Sequence, residues 1–222
     1  MEDSRLVKQI YKHCKAKTVK LKTSFCYHIR TILFNLNLGH LWASEEIGDY
    51  NDWSRLAKTS VTQQDANLWS LFMQKKAKLR IYRTIKTVLR QEEYVKWPLT
   101  PEQRSIYARI RSGSLQLRIE SGRWSKVPEE ERVCQVCLTG KVENETHFLL
   151  HCYAYDRSRE GMFRLIKDST GYDLNVMRDN NEWLLDVLIG HGLKSEVIRE
   201  KIGKAVASFL AVAMRVRQTW LK

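Results

Sequence analysis

Nineteen residues, CQVCLTGKVENETHFLLHC, constrain this chain more than any other stretch. They run Cys134-x2-Cys137-x9-His147-x4-Cys152. Two cysteines separated by two residues bring both thiolates onto one ion from a single tight turn. A histidine and a further cysteine from the next element complete a tetrahedron. Soft thiolates with one imidazole favour zinc over magnesium or calcium. Four protein ligands leave no open position for water, so one structural Zn2+ is expected, not a catalytic one. The nitrogen ligand is the open choice. His147 is favoured over His151, which adjoins Cys152 and would have to bend sharply back to share the ion. Cys14 and Cys26 lie far away and read as ordinary thiols.

Around this motif the pattern is helical. Thr100, Pro101 and Gln103 spell a helix start: a cap, a proline in the first turn and a capping-box partner. Thr62 and Asp65 have the same spacing and predict the start of a long helix. Trp69, Phe72, Leu79, Tyr82, Ile85 and Leu89 would form its buried face. Gly39 reads as a helix stop, and ASEEIGDYND as a loop. Leu115, Leu117 and Ile119 alternate, which predicts a short extended piece before a turn at Gly122. Beyond the motif, Met162 to Ile166, Trp183 to Leu188 and Val197 to Ala213 predict three helices, the last capped by Ser195. The expected fold is mainly α, a helical assembly with an inserted CCHC zinc knuckle. Four regions follow: 1–60, a basic N-terminal helical segment; 61–131, a basic helical region; 132–160, the metal unit; and 161–222, helices that pack on it. Phe148, Leu149 and Leu150, between two ligands, are expected to enter the neighbouring core.

The formal net charge of +13 points to a polyanionic partner. Cations concentrate in three groups: the N-terminal Lys8, Lys12, Lys15, Lys17, Lys20 and Lys22; the run Lys75, Lys76, Lys78, Arg80, Arg83, Lys86 and Arg90; and Arg104, Arg109, Arg111, Arg118 and Arg123. Arginine and lysine neutralise phosphates while exposed rings stack unpaired bases. Trp124, after Gly122 and Arg123, is the expected stacking ring. No stretch is long and apolar enough to span a bilayer, and the N-terminus lacks a signal-peptide core. Clustered cysteines fit a metal site in a reducing compartment, which predicts an intracellular protein.

VENETHFLLHCYAYDRSR resembles the C-terminal zinc-binding region of reverse transcriptase polyproteins from non-LTR (LINE-type) retrotransposons. The shared order is an acidic pair (Glu143, Glu145), His147, the apolar Phe148 to Leu150, Cys152, an aromatic at Tyr153 or Tyr155, and Arg159. KLRIYRTIK, RIRSGSLQLRIESGRW and EERVC extend it loosely over residues 78 to 160. The resemblance implies binding of template RNA or target DNA beside a reverse transcriptase, and a nuclear location. It departs in lacking a Tyr-x-Asp-Asp polymerase motif and any Pro-Asp after the knuckle. The chain is then either a tail of a longer polyprotein or a stand-alone descendant. No enzymatic role is expected: His13, His28, His40 and His191 lack partners at a telling spacing, and nothing in sequence unites Asp49, Asp52 and Asp65. RNA is the preferred ligand, with DNA open. The alternative is a protein-interaction scaffold that docks a partner through the knuckle and apolar helices.

Overall fold

The expected helix start at Thr100 is present in full. Its Oγ1 accepts from the Gln103 amide at 3.2 Å, and the Gln103 side chain accepts from the Thr100 amide at 3.1 Å. The computed structural model describes residues 6–18, 22–45, 48–177, 180–190 and 192–221. It is 72% helix, with no strand among the described residues beyond one antiparallel bridge, Val133 to Val142. The chain divides into two units, Met1–Leu71 and Phe72–Lys222.

The first unit holds α1 (Leu6–Ala16), α2 (Phe25–Asn35), α3 (Gly39–Ser44) and most of α4 (Tyr50–Lys75). Ser24 caps α2 by accepting from the Tyr27 amide at 3.2 Å. The residue that ends α2 is Asn37, in the left-handed region at φ 59°; Gly39, expected as a stop, opens α3 instead. The helix after the loop begins at Tyr50, twelve residues before the expected Thr62. Thr62 does not cap anything. Its hydroxyl donates back to the Lys58 carbonyl at 2.8 Å, a bond that threonine makes inside a helix. The boundary expected near residue 60 therefore falls within a continuous helix. Cys26 of α2 is buried, which pushes its thiol up, and the nearby Cys14 of α1 adds to that shift. Among the N-terminal lysines, Lys15 donates to the Trp42 carbonyl at 2.8 Å and lies over its ring. Lys20 and the side chain of Lys8 lie outside the described residues.

In the second unit, α4 ends at Lys75, and a 3-10 turn (Ala77–Leu79) leads into α5 (Arg80–Ile85). The expected single helix to Leu89 is thus broken. Leu79, Tyr82 and Ile85 keep their three-residue spacing beyond the break, so periodicity reads straight through it. The turn brings the Lys78 carbonyl against Gly113, where an added Cβ would stand only 2.4 Å from that oxygen. Gly113 also has φ +63°, so the end of α6 (Pro101–Arg111) requires glycine twice over. Leu115 and Leu117 are buried, but Leu115 lies in a bend closed by the Leu117 amide on its carbonyl at 2.7 Å, and only Leu117 is extended. Ile119 belongs to α7 (Arg118–Trp124), a short helix where a strand and turn were expected. Gly122 sits inside α7 because the stem of Arg132 crosses it: a Cβ there would meet Arg132 Cγ at 2.6 Å.

The rest is α8 (Asp156–Thr170), α9 (Asn181–Ile189) and α10 (Glu196–Trp220). Gly171, at φ +78°, stops α8, and Ser195 caps α10 by accepting from the Ile198 amide at 3.4 Å. α10 contacts α6, α8 and α9, and its Ile202, Val206, Phe209, Leu210 and Ala213 run through one core shared with Trp97, Tyr107, Phe148 and Ile166. Trp97 reaches the α10 backbone at Gly203, where a Cβ would lie 1.8 Å from its Cζ3. Gly203→Ala should therefore cost at least about 1–3 kcal/mol through overpacking. Urea unfolding measures it, and Trp97→Leu in the same chain should lessen that cost. An unchanged midpoint for the single variant would contradict the close approach.

Candidate metal centre and the cations around it

Two local structures bring the four ligands together. Residues 132–143 form a tight hairpin in which the Cys134 amide donates to Lys141 at 2.8 Å and the Glu143 amide to Arg132 at 2.9 Å. Its turn passes through Leu138 and Gly140, both at positive φ. Next comes a π turn, His147–His151, begun when Asn144 Oδ1 accepts from the His147 amide at 2.8 Å. The Cys152 amide closes it on the His147 carbonyl at 2.7 Å. A π turn closes one residue later than an α turn, so His147 and Cys152, five apart, face one point.

At that point the ligand atoms of Cys134, Cys137, His147 and Cys152 all lie within 4.8 Å of one another, and all four residues are buried. Cys134 and Cys152 sulfurs are 4.0 Å apart, and Cys137 Sγ is 3.3 Å from His147 Nε2. Metal–sulfur bonds of about 2.3 Å set tetrahedral sulfur–sulfur edges near ~3.8 Å, so the spacing fits one metal ion. Crowding is also visible in the thiols. Hydrogen bonding from Cys152 holds the Cys134 thiol far below its usual value, while Cys134 in turn pushes Cys152 up. Full ionisation of such a group calls for a cation. His151 is exposed and stands outside the cluster, so the choice between the histidines falls to His147.

The surroundings lock this centre into the helices. Glu143 is 1% exposed. Its carboxylate accepts from Arg217 Nε and Nη2, both at 2.8 Å, and from the Arg118 amide at 2.7 Å, with Cys134 Sγ 3.9 Å away. Glu145, equally buried, pairs with Arg80 at 2.5 Å; burial raises its carboxyl even against that cation. Arg159 donates to the carbonyls of Leu149 at 2.7 Å and Cys152 at 2.8 Å, satisfying the end of the π turn. Phe148 and Leu149 are fully buried, Phe148 with its ring 4.9 Å from Tyr155 and 6.2 Å from Phe209 of α10. Leu150 is half-buried against the same core. Sequence reasoning missed Arg217. The signal was present: it continues the stripe Val206, Leu210, Ala213, and a cation on an apolar stripe demands a buried anion.

The expected nucleic-acid residues separate into two kinds. Lys75, Lys76, Arg83, Arg90 and Arg109 are exposed, Arg90 with Glu93 at 3.4 Å and Arg83 with the Gln74 carbonyl at 3.2 Å. Lys78 and Arg118 are half-buried at the surface, Arg123 is paired with the buried Glu120 at 2.7 Å, and Trp124 is exposed. The others do internal work. Lys86 and Arg111 are buried on either side of Glu92, at 3.2 and 2.8 Å, which removes both from any phosphate surface. Burial pushes the Glu92 carboxyl up, but Arg111, Tyr82 and Lys86 outweigh it and hold it below its ordinary value. Arg80 is held by Glu145, and Arg104 donates to the Trp97 carbonyl at 3.0 Å. Asp49 donates nothing to a cluster either: it accepts from the Asn51 amide at 2.8 Å at the head of α4, and Asp52 pairs with Arg55. Among the described residues the Cys3His group alone has metal-binding geometry; His191 lies outside them.

No protein-family model, curated protein or solved structure matches the chain. No described helix is long and apolar enough to cross a membrane.

Proposed function

We propose that this chain is a zinc-stabilised nucleic-acid-binding module of retrotransposon origin, RNA preferred, without catalytic activity of its own. Three thiolates and an imidazole select zinc among common ions, and four protein ligands make its role structural. The observation that carries the reading is the surface left after internal pairing. Lys75, Lys76, Arg83 and Arg109 are exposed with no carboxylate partner among the described residues, in a chain of net charge +13. The retroelement origin draws support from the residues that carry the resemblance. Glu143, Glu145, His147, Cys152 and Arg159 are all buried, and each either binds the ion or ties the metal loop to a helix. Such a module would work beside a reverse transcriptase, in the nucleus.

Titration of labelled RNA, single-stranded DNA and duplex DNA across a salt series tests this. Log affinity should fall with log salt by about 0.7–0.9 per phosphate contact. Replacing Lys75, Lys76 and Arg83 together by Glu should weaken all three ligands and flatten the slope by about 2–3, with zinc content unchanged. No binding to any of them at low salt would overturn the proposal.

A second reading has its own observation. A groove of about 410 Å³ between α8 and α10 is lined by Met162, Leu165, Ala205, Phe209 and Val212, with Leu165 and Val212 exposed. A protein partner seated there would bind with little dependence on salt, which separates the scaffold from the phosphate binder.

A further inference from the structure

We propose that a second cavity, between α7, the metal hairpin and the end of α10, holds one unpaired nucleobase, stacked on Trp124 and met at its edge by Gln116 and Gln135. The proposal rests on the nucleic-acid reading above and names where a single strand is gripped. The cavity is about 440 Å³ and is lined by Lys78, Gln116, Arg118, Trp124, Gln135 and Arg217, among others.

Trp124 is 71% exposed, an unusual position for so large a ring, yet it is held in place. Its indole N–H donates to Glu120 at 3.1 Å. The same buried carboxylate accepts from Arg123 Nε at 3.0 Å and Nη2 at 2.7 Å, and the Arg123 guanidinium lies 4.7 Å from the Trp124 ring. Hydrogen bonding from Arg123 keeps the Glu120 carboxyl below its ordinary value, so this clamp stays ionised. A ring fixed in advance has little freedom left to lose when a flat ligand stacks on it.

The lining suits a nucleotide in charge and in shape. Glu120 is engaged by Arg123 and Trp124, and Arg217 by Glu143, which leaves Lys78 and Arg118 as the cations open to a phosphate. No internal acceptor holds Arg118 Nε, so this guanidinium is not committed to a carboxylate as Arg123 and Arg217 are. Gln116 and Gln135 are exposed carboxamides, each offering a donor and an acceptor, the pattern that a base edge presents. Trp124 and Leu221 are the apolar members of this lining, so a flat polar anion fits it better than an apolar peptide side chain. Gln135 stands between Cys134 and Cys137, so the metal turn itself sets its position. Base discrimination is thereby coupled to the metal.

The experiment uses the full zinc-loaded chain with short labelled homopolymers of U, C and A and an RNA duplex of equal length. Trp124→Ala should weaken single strands about ten- to hundredfold, leave the duplex and the salt slope unchanged, and keep its zinc. Trp124→Phe should recover most of the loss, because a phenyl ring still stacks. Gln135→Ala should level the affinities of the three homopolymers at unchanged zinc content. If the wild type binds RNA but Trp124→Ala costs nothing, or costs single strand and duplex equally, the cavity proposal falls and the broader reading stands. If the wild type binds no nucleic acid, both fall.

Discussion

Cys152→Ser is expected to release the metal and unfold at least residues 132–160. Structural zinc contributes about 10–16 kcal/mol of apparent binding energy in small modules, more than the whole stability of an ordinary domain. The hairpin and the π turn are each tied to the helices, by Glu143 to Arg217 and by Phe148 and Leu149 in the core, but the metal is what joins them to one another. Their backbone bonds are few, and the ligands themselves supply four of the buried side chains. The damage should spread further than in an isolated knuckle. Phe148 and Leu149, between two ligands, sit in the core that α10 shares with α6 and α8, so losing the π turn opens that core as well. Cys134→Ser and Cys137→Ser should behave alike. His147→Ala should be damaging, and His151→Ala, at an exposed position, mild. Metal analysis of freshly purified, chelator-free protein, with limited trypsinolysis across Arg132 to Arg159, reads both effects. Wild-type protein without zinc, or a Cys152→Ser chain with unchanged protection, would refute the metal centre.

Arg217→Met should cost about 3–5 kcal/mol, because it strands the Glu143 carboxylate in the interior. Burial works against the charge on Arg217, and its bonds to Glu143 more than offset that, leaving the guanidinium harder to deprotonate than usual. The pair is therefore stable as a pair and costly when halved. Glu143→Gln alone should be less damaging, since the amide oxygen can still accept from the Arg118 backbone. Combining Glu143→Gln with Arg217→Met should restore part of the loss, because no unpaired charge remains. Urea midpoints for the four corners of this cycle give the coupling. Simple additivity of the two single costs would show that the ion pair contributes nothing beyond its separate parts. Because Glu143 lies 3.9 Å from Cys134 Sγ, zinc retention should weaken in Arg217→Met before it does in Arg215→Met, whose parent residue pairs with Glu102 at the surface.

Local chemistry determined a good deal of this protein on its own. The Cys-x2-Cys turn, the Thr100–Gln103 cap and the Ser195 cap of α10 are each set by residues within a few positions of one another. The one or two hydrogen bonds that define each of them have nothing else to compete with, so a linear reading finds them. It also picked His147, because a histidine next to Cys152 cannot turn back onto the same ion. The failures share a different cause. The break after Lys75 keeps helical periodicity on both sides; it exists because the chain must turn there to set Lys78 against Gly113 and Arg80 against Glu145. Thr62 has the spacing of a cap but spends its hydroxyl on Lys58, since Asp49 starts the helix earlier.

Charge is where the tertiary structure decided most. Lys86, Arg111 and Arg80 read in sequence as part of one basic surplus, indistinguishable from Lys75 or Arg109. Only folding reveals that they face the half-buried Glu92 and the buried Glu145, from 19 and 65 residues away in the longest pairings, and that Arg217 finds Glu143 from 74 residues away. A buried charge is tolerated only beside its opposite, and which opposite it meets depends on how distant segments come together, not on its neighbours in the chain.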